Sequence, residues 1–248
     1  LMTGSIAGST GLGILADHSR FSSDETTTAY SAALGSGIYA IYRETTSVTA
    51  TVNNVSKTYD GQTYSGGYTF SYSGLINNDT QAQLGSLVFS GTSQTAVNYG
   101  VYGITATGTS GYGYNMSFTA GQLNINKTNL VLSGSRFYDG TTSVLGSTVI
   151  ATGVTVNGIT QSFAVTGTGS STNLSSKNAS TTPQTLSSLT GLSLSTANNG
   201  ADINNYNFVT TGSSYSINKA NIVLSGSRAY DGTTTVAGST LTATGVTI

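Results

Sequence analysis

Short segments of the chain alternate apolar residues with residues that carry a hydroxyl or an amide. The clearest lie at positions 48–52, 122–126, 205–208 and 214–217. A period of two turns one face of an extended segment toward a core and the other toward water. Clusters of Gly, Asn and Ser interrupt these segments at intervals of about ten residues, which is typical of small antiparallel β-sandwiches of the immunoglobulin-like kind. The pattern therefore predicts an all-β fold.

Helical and membrane-spanning patterns are weak by comparison. Residues 24–34 are the best helix candidate, with Ser22 or Ser23 as a cap at its beginning. No apolar run approaches the roughly 20 residues that a bilayer-spanning helix needs. We therefore expect no membrane insertion.

One short motif occurs three times: a basic residue, a variable residue, then Tyr-Asp-Gly. Its residues are Lys57, Tyr59, Asp60 and Gly61 in the first copy, Arg136, Tyr138, Asp139 and Gly140 in the second, and Arg228, Tyr230, Asp231 and Gly232 in the third. The copies are 79 and then 92 residues apart. A repeat of this period indicates tandem modules rather than one large domain.

Each residue type in this motif suits a tight turn. An Asp side chain accepts a backbone N–H two residues on, and Gly adopts a positive φ at no steric cost. The Tyr offers a ring to a core and a hydroxyl to backbone groups, and the basic residue lies within reach of the Asp carboxylate. An exposed ion pair contributes only about 0 to 1 kcal/mol. We therefore predict a structural motif in which the turn is the stabilising element.

A calcium site is the alternative use of the same carboxylates. Asp60, Asp139 and Asp231 would each supply one carboxylate at a junction between modules, whereas Ca²⁺ takes about six to eight oxygens. The Asn-rich segment 198–205 is a second candidate, but it has one carboxylate and lacks the alternating ligands of a calcium loop. We expect no metal and no cofactor.

The last two copies of the motif belong to a duplicated module. Residues 125–156 align without a gap with residues 217–248, and 24 of 32 positions are identical. An Ile-Asn-Lys sequence closes the units at 125–127 and 217–219 and leaves almost no linker, so we expect a rod of tandem modules. The last module is incomplete, and we expect the chain to be a segment of a longer protein.

The domain boundaries follow from these repeats. We predict the end of an upstream β-rich segment or linker at 1–47, an immunoglobulin-like module at 48–127, a module named for its Tyr-Asp-Gly motif at 128–219, and the truncated start of a second such module at 220–248. An isopeptide crosslink from Lys127 or Lys219 would need a buried acid beside the pair, and the sequence places none.

Composition narrows the expected function. Only 7% of the residues are charged and the net charge is −1, so no basic field exists to hold a phosphate backbone, and we expect no nucleic acid partner. The chain has no Cys, so its stability depends on sheets and Tyr packing rather than disulfides. His18 is the single histidine and lies outside the repeats, although a Ser-His-Asp site would have to include it. We predict that the chain is not an enzyme.

The three motif strings, the Ile-Asn-Lys closers and the Asn-Tyr-Asn-Phe element at 205–208 resemble the repeats of large secreted adhesins of the filamentous-haemagglutinin type. Residues 48–127 are similar to that family's bacterial immunoglobulin-like (MBG-type) module, and 128–219 and 220–248 to its YDG module. The opening through residue 44 resembles a segment that joins an upstream β-helical region to the first module. The resemblance implies export by a partner outer-membrane transporter and an extracellular location, secreted or at the bacterial cell surface.

Three functions fit these features, and the leading one is a structural or adhesive stalk that displays a binding region or forms extracellular fibres, as in a biofilm. The second is a receptor-binding module for glycans or proteins of a host or a neighbouring cell, with Tyr112 and Tyr114 stacking on sugars. The third is a self-assembling matrix fibre, in which another copy of the chain completes the unfinished module with its strands. Residues 1–47 lack the closing-strand elements, which favours a simple fragment over self-assembly.

Overall fold

The computed structural model describes residues 2–9, 18–23, 36–198 and 200–245. The chain forms two compact units, Leu1–Asn126 and Lys127–Ile248. In the described residues every helix is a 3-10 helix of three or four residues, so the prediction of an all-β fold is confirmed. None of these helices has the length and apolar character needed to cross a membrane.

The described part of the first unit has ten strands and two 3-10 helices. The strands are β1 (Met2–Thr3), β2 (His18–Arg20), β3 (Tyr39–Tyr42), β4 (Ser47–Val52), β5 (Val55–Thr58), β6 (Phe70–Ser73), β7 (Val88–Ser90), β8 (Gly100–Thr107), β9 (Asn115–Thr119) and β10 (Gly121–Asn126). The helices are Gln81–Leu84 and Thr92–Thr95. Their sheets have the orders β1-β3-β2, β6-β4-β9 and β5-β10-β8-β7.

Two continuous segments of this unit cross from one sheet to the other. The first comprises β4 and β5, and the second comprises β9 and β10. The two segments run parallel and pair in both sheets, β4 with β9 and β5 with β10. At the crossing, a Cβ on Gly121 would lie 2.7 Å from the carbonyl oxygen of Val52, so a side chain at this position would collide with the neighbouring backbone.

The opening strands share a core with the strands that follow. Phe21 and Tyr42 stack with ring centroids 5.3 Å apart, and Tyr114 tilts against Phe21 at 4.5 Å. Val48 and Leu84 complete this cluster, and both are fully buried. The strands before β4 and the residues from β4 onward therefore share one continuous core.

The described part of the second unit has nine strands and three 3-10 helices. The strands are β11 (Thr128–Asn129), β12 (Val131–Phe137), β13 (Val149–Val156), β14 (Ile159–Thr166), β15 (Ser193–Asn198), β16 (Tyr206–Asn207), β17 (Ser214–Asn218), β18 (Val223–Gly226) and β19 (Leu241–Thr244). The helices are Gly146–Thr148, Ile203–Asn205 and Gly238–Thr240. The sheets have the orders β11-β16, β15-β14-β13-β12-β17 and β18-β19.

The second unit repeats the strand arrangement of the first. Its opening strands β11 and β12 run parallel to its closing strands β16 and β17, again in two separate sheets. The antiparallel pairing expected from the sequence holds for the hairpins inside each unit, but not for the opening and closing strands, which pair in parallel. A short hairpin makes neighbouring strands antiparallel, whereas these paired strands are the first and last of a module, and the intervening strands supply the crossover that parallel pairing requires.

Most of the predicted strands are confirmed. Alternating burial runs along β4, β10 and β17, where the apolar side chains face inward. The strand predicted at 205–208 is shorter, because Asn205 ends a 3-10 helix and only Tyr206–Asn207 is extended. The helix predicted at 24–34 lies outside the described residues. The rod of tandem immunoglobulin-like modules and the domain boundaries stay predictions.

Candidate functional site: the Tyr-Asp-Gly turns

All three motif copies adopt the same turn. The backbone N–H two residues after the Asp donates to its carboxylate, with distances of 2.9 Å for Gln62 to Asp60, 2.9 Å for Thr141 to Asp139 and 3.0 Å for Thr233 to Asp231. The glycines that follow each Asp have positive φ values of 76° at Gly61, 79° at Gly140 and 72° at Gly232. Glycine adopts these angles without the steric cost that a Cβ would impose.

The basic side chain of each motif closes the turn from the other side. The Lys57 ammonium lies 2.6 Å from the Asp60 carboxylate and donates at 2.7 Å to the carbonyl of Gln62. Arg136 pairs with Asp139 in the same way and donates at 2.6 Å to the carbonyl of Thr141. One cation thus bridges the carboxylate and the turn backbone, so it orients the loop as well as pairing with a charge.

Hydrogen bonding lowers the pKa of the motif carboxyls. Partial desolvation raises the pKa of Asp60 and of Asp139, but the bonds from the basic side chain and from the turn N–H outweigh it, and both pKa values lie below the ordinary value. At Asp231 the N–H of Thr233 is the leading cause of a lowered pKa. All three carboxyls are therefore charged at neutral pH.

The motif tyrosines differ in burial. Tyr59 is 5% exposed and belongs to the core, Tyr138 is half-buried, and Tyr230 is 97% exposed. The identical turn around Tyr230 shows that the turn geometry is local and does not depend on covering the ring. Of the three motif rings, only that of Tyr59 is buried in a core.

The motif also contacts the closing strand of its own module. The backbone N–H of Tyr59 donates to the carbonyl of Asn126, and that of Tyr138 donates to the carbonyl of Asn218, both at 2.8 Å. These asparagines belong to the Ile-Asn-Lys closers. The two recurring sequence features are therefore joined by one backbone hydrogen bond in each complete module.

The oxygens of the proposed calcium ligands are used in turns and caps. Asp60 and Asp139 each accept from a backbone N–H and a cation, as described above. In the Asn-rich segment, Asp202 accepts from the N–H of Asn204 at 3.0 Å and begins a 3-10 helix. Among the residues that the structure describes, no three His, Cys, Asp or Glu side chains are grouped so as to hold a metal ion.

A buried polar network around Asp79 was not predicted from the sequence. The Asp79 side chain is fully buried, and it accepts from the Tyr114 hydroxyl at 2.5 Å and from the N–H of Ser19 at 3.0 Å. Desolvation raises the pKa of Asp79, and the hydrogen bond from Tyr114 partly opposes this shift. The same burial, together with the nearby carboxylate, raises the pKa of Tyr114.

The single histidine lies at the edge of this network. Its side chain is 36% exposed, and its Nδ1 lies 3.8 Å from the Asp79 carboxylate and 3.4 Å from the Gln83 amide nitrogen. The His18 ring packs against both Tyr39 and Tyr112, at centroid distances of 5.6 Å and 6.5 Å. His18 is therefore a packing residue that joins the opening strands to the loops that follow them.

The tyrosines considered for sugar stacking are both engaged in packing. Tyr114 is 5% exposed and its hydroxyl is bound to Asp79. Tyr112 stacks on Tyr39 at an interplanar angle of 8°, and the Arg20 guanidinium lies 5.8 Å from its centroid. Stacking on a sugar needs an uncovered ring face, and the buried ring of Tyr114 does not offer one.

The second unit also contains an open apolar cleft of about 470 Å³. Its lining includes Tyr138, Lys219, Ile222 and Ala243. Ile222 is 70% exposed. The cleft therefore belongs to the incompletely covered hairpin β18–β19 rather than to an enclosed ligand site.

Comparison with known families gives one match. The family model described as MBG domain (YGX type) matches residues 48–124. The matched segment begins at the second residue of β4, includes β5 to β9 and ends at the fourth residue of β10. No curated protein and no solved structure matches the chain. The match fits a module of a bacterial surface protein, of the kind found as repeats in adhesins, and indicates an extracellular or cell-surface location.

Proposed function

We propose that the chain is part of the stalk of a secreted bacterial adhesin, in which successive β-modules hold a binding region away from the cell surface. The strand arrangement supports this proposal most directly. In each complete module the first and last strands are parallel neighbours, as in Ser133 opposite Ser214 and Phe137 opposite Asn218. Tension between the ends of a module therefore pulls these strands in opposite directions along their length.

This geometry suits a protein that has to stay folded under tension. When two paired strands slide past each other, the hydrogen bonds of their ladder are stretched together rather than one after another. The ladder between β12 and β17 extends over five residue pairs. In the first unit, the β4–β9 and β5–β10 ladders extend over five and four pairs. The Tyr-Asp-Gly turns serve this function by fixing the end of the opening strand against the closing strand.

The family match provides independent support, because a module of a bacterial surface protein is where such a stalk would occur. The low charge and the absence of Cys are compatible with a chain exported unfolded and stabilised by sheets. We also propose that the adhesin is of the filamentous-haemagglutinin type and that residues 128–219 and 220–248 belong to YDG modules. A partner outer-membrane transporter exports the chain.

Antibody labelling of intact cells tests the proposed location. Antibodies raised against the purified chain are applied to intact and lysed cells of the bacterium that encodes it, with a cytosolic protein as the control. We expect labelling of the chain on intact cells or in the medium, under conditions where the cytosolic control stays unlabelled. Labelling of the chain only after lysis would contradict the proposal.

A glycan array and a panel of host surface proteins test the receptor-binding alternative. The stalk proposal predicts no saturable binding by the isolated chain. Binding that is lost in Tyr112→Ala and kept in Tyr72→Ala would instead assign receptor recognition to these modules.

A further inference from the structure

A long irregular segment connects β14 to β15 in the second unit. Residues 167–192 contain no strand, and one isolated bridge joins them to β17, between Gln184 and Tyr215. Two buried side chains, Leu174 and Leu186, fix the base of this loop, and each is 3% exposed. Loops longer than about 15 residues without strands or helices are uncommon in compact domains, and those that are folded usually have a function of their own.

The part of the loop between these two leucines, residues 175–185, is called the covering segment below. It contains no buried side chain. Ala179 and Gln184 are half-buried, and the other nine residues are exposed. Displacing the covering segment therefore exposes little apolar surface of its own, so its opening costs far less free energy than unfolding of the unit.

The covering segment lies along the outer edge of β17 and bonds to it through the backbone. The N–H of Gln184 donates to the carbonyl of Tyr215 at 3.0 Å, and the N–H of Tyr215 donates to the carbonyl of Gln184 at 2.8 Å. The N–H of Ser180 donates to the carbonyl of Ile217 at 3.1 Å. Main-chain groups of both Tyr215 and Ile217 therefore point toward this edge.

The corresponding edge of the first unit is covered by a regular strand instead. Its closing strand β10 pairs on one side with β5, as β17 does with β12. On the other side β10 pairs with β8 over five residue pairs, from Gly121 opposite Ile104 to Ile125 opposite Gly100. The outer edge of β17 is thus covered by a much shorter contact than the same edge of β10.

The edge of β17 is suited to antiparallel pairing with itself. Gln184 and Tyr215 exchange both backbone bonds, as the hydrogen-bonded pairs of an antiparallel ladder do. A second β17 that runs antiparallel about Ser216 would place Tyr215 of each copy opposite Ile217 of the other. This arrangement is twofold symmetric, so the same edge serves both copies. The strand has the sequence Ser-Tyr-Ser-Ile-Asn, so no like charges meet across the pair.

We propose that the outer edge of β17 is a pairing surface for a second copy of this chain, and that the covering segment controls access to it. While residues 175–185 lie on β17, the edge is blocked. When they are displaced, two copies pair through Tyr215 and Ile217, and main-chain hydrogen bonds supply the affinity. The base of the loop at Leu174 and Leu186 stays in place. The pairing surface depends on neither the location nor the function proposed above.

A proline in the covering segment tests this proposal in the full chain. Gln184→Pro removes the N–H that donates to Tyr215 and should release the segment from β17. Thr181→Pro is the matched control, because its N–H makes none of the three bonds to β17. Sedimentation over a concentration series should show a dimer of Gln184→Pro that forms at least about tenfold more tightly than any dimer of the control.

Hydrogen exchange locates the pairing surface. At low concentration the amides of residues 214–218 should exchange faster in Gln184→Pro than in Thr181→Pro, because Tyr215 loses its acceptor. At high concentration their exchange should slow again in Gln184→Pro, as the second copy replaces the covering segment. The amides of residues 223–226, in β18, should show no dependence on concentration.

Introduced cysteines test the register of the pair, since the natural chain has no Cys. In the proposed pair, the two copies of Ser216 face each other with Cα atoms about 4.5 Å apart, which is within the range of a disulfide. Ser216→Cys should therefore form disulfide dimers at least about tenfold faster with Gln184→Pro than with Thr181→Pro. Ser214→Cys is the control position, because its two copies would lie about 13 Å apart along the strands.

A second variant keeps the test valid if Gln184→Pro prevents the unit from folding. Gln184→Ala keeps every backbone N–H and removes the side-chain bonds to the backbone of Ser176, at 3.0 Å and 2.9 Å. It should loosen the covering segment and give a smaller increase in dimerisation. The proposal is overturned if neither Gln184 variant associates more tightly than Thr181→Pro. It is also overturned if association protects residues 223–226 instead of 214–218, or if Ser214→Cys crosslinks as fast as Ser216→Cys.

Discussion

The backbone N–H of Tyr138 donates to the carbonyl oxygen of Asn218 across 2.8 Å, and this bond joins the Tyr-Asp-Gly turn to the end of the closing strand. The bond from Tyr59 to Asn126 has the same length and the same place in the first unit. Both lie at the end of a parallel ladder, where the opening strand becomes the turn. The motif therefore fixes the point at which the first and last strands of a module separate.

Asp139→Ala should destabilise the second unit by about 1 kcal/mol. The substitution removes the acceptor of the Thr141 N–H and leaves Arg136, whose side chain is only 9% exposed, without its carboxylate. Hydrogen exchange of the β12 and β17 amides measures the loss. Asp231→Ala is the control: it should leave these amides unchanged, because its turn lies in the exposed final copy. Equal losses in the two variants would contradict a role for the motif in the closed module.

The contribution of the Asp139 carboxylate should depend on pH. Its pKa is lowered in the folded chain, so the stabilisation is fully present above the unfolded value of about 4 and declines as the pH falls through the folded value. Asp139→Asn keeps an acceptor oxygen but has no charge to titrate. The difference in unfolding free energy between wild type and Asp139→Asn should be largest near neutral pH and vanish in strong acid. A difference that grows on acidification would refute this assignment.

Gly140→Ala should destabilise the second unit by about 1 to 2 kcal/mol, because Gly140 has a φ of 79° that L-residues adopt at a steric cost. Gly140→Asn should lose less, since Asn tolerates this region better than Ala. Gly238→Ala is the control, because a Cβ at this position would meet no atom within 4 Å. Thermal unfolding of the three variants measures the order. If Gly140→Ala were as stable as Gly238→Ala, the turn would not require glycine.

Tyr114→Phe should destabilise the first unit by about 1 to 3 kcal/mol, because it leaves the buried Asp79 carboxylate without one of its donors. Tyr72→Phe makes the same chemical change at a ring that is 39% exposed, and it should have little effect. Hydrogen exchange of the β4 and β9 amides measures both variants. A similar small change in both would mean that the Asp79 network does not support this core.

The local features of the fold could be predicted from the sequence because they depend on neighbouring residues. The alternation of apolar and polar residues in β4, β10 and β17 predicts that one face of each strand is buried. The Asp-Gly pair and its basic residue predict a turn, because all the residues that form it lie within seven positions. The same turn around Asp231, in the exposed final copy, shows how little it depends on tertiary packing.

Features that depend on distant residues could not be predicted in the same way. The parallel pairing of β12 with β17 joins residues about 80 positions apart, and alternation alone gives no strand direction. Asp79 lies in a polar loop sequence, and its burial depends on Ser19 and Tyr114. Asn173 has the sequence setting of a surface loop, yet it is 0% exposed and its side chain bonds to the backbone of Val144 and Ser188. Each of these contacts is set by topology.

Single-molecule pulling on the second unit tests the mechanical account most directly. The natural chain has no Cys, so pairs of introduced cysteines define where force is applied. Asn129→Cys with Lys219→Cys pulls β12 and β17 in opposite directions along their length. Asn129→Cys with Thr211→Cys pulls the same strands apart from one end, so their hydrogen bonds break in turn.

We expect a clearly higher unfolding force for the 129–219 pair than for the 129–211 pair at the same pulling speed. Both pairs share position 129 and lie in the same unit, so the difference isolates the direction of force on the β12–β17 ladder. Equal forces, or a higher force for the 129–211 pair, would contradict the claim that the paired first and last strands make these modules suited to a stalk.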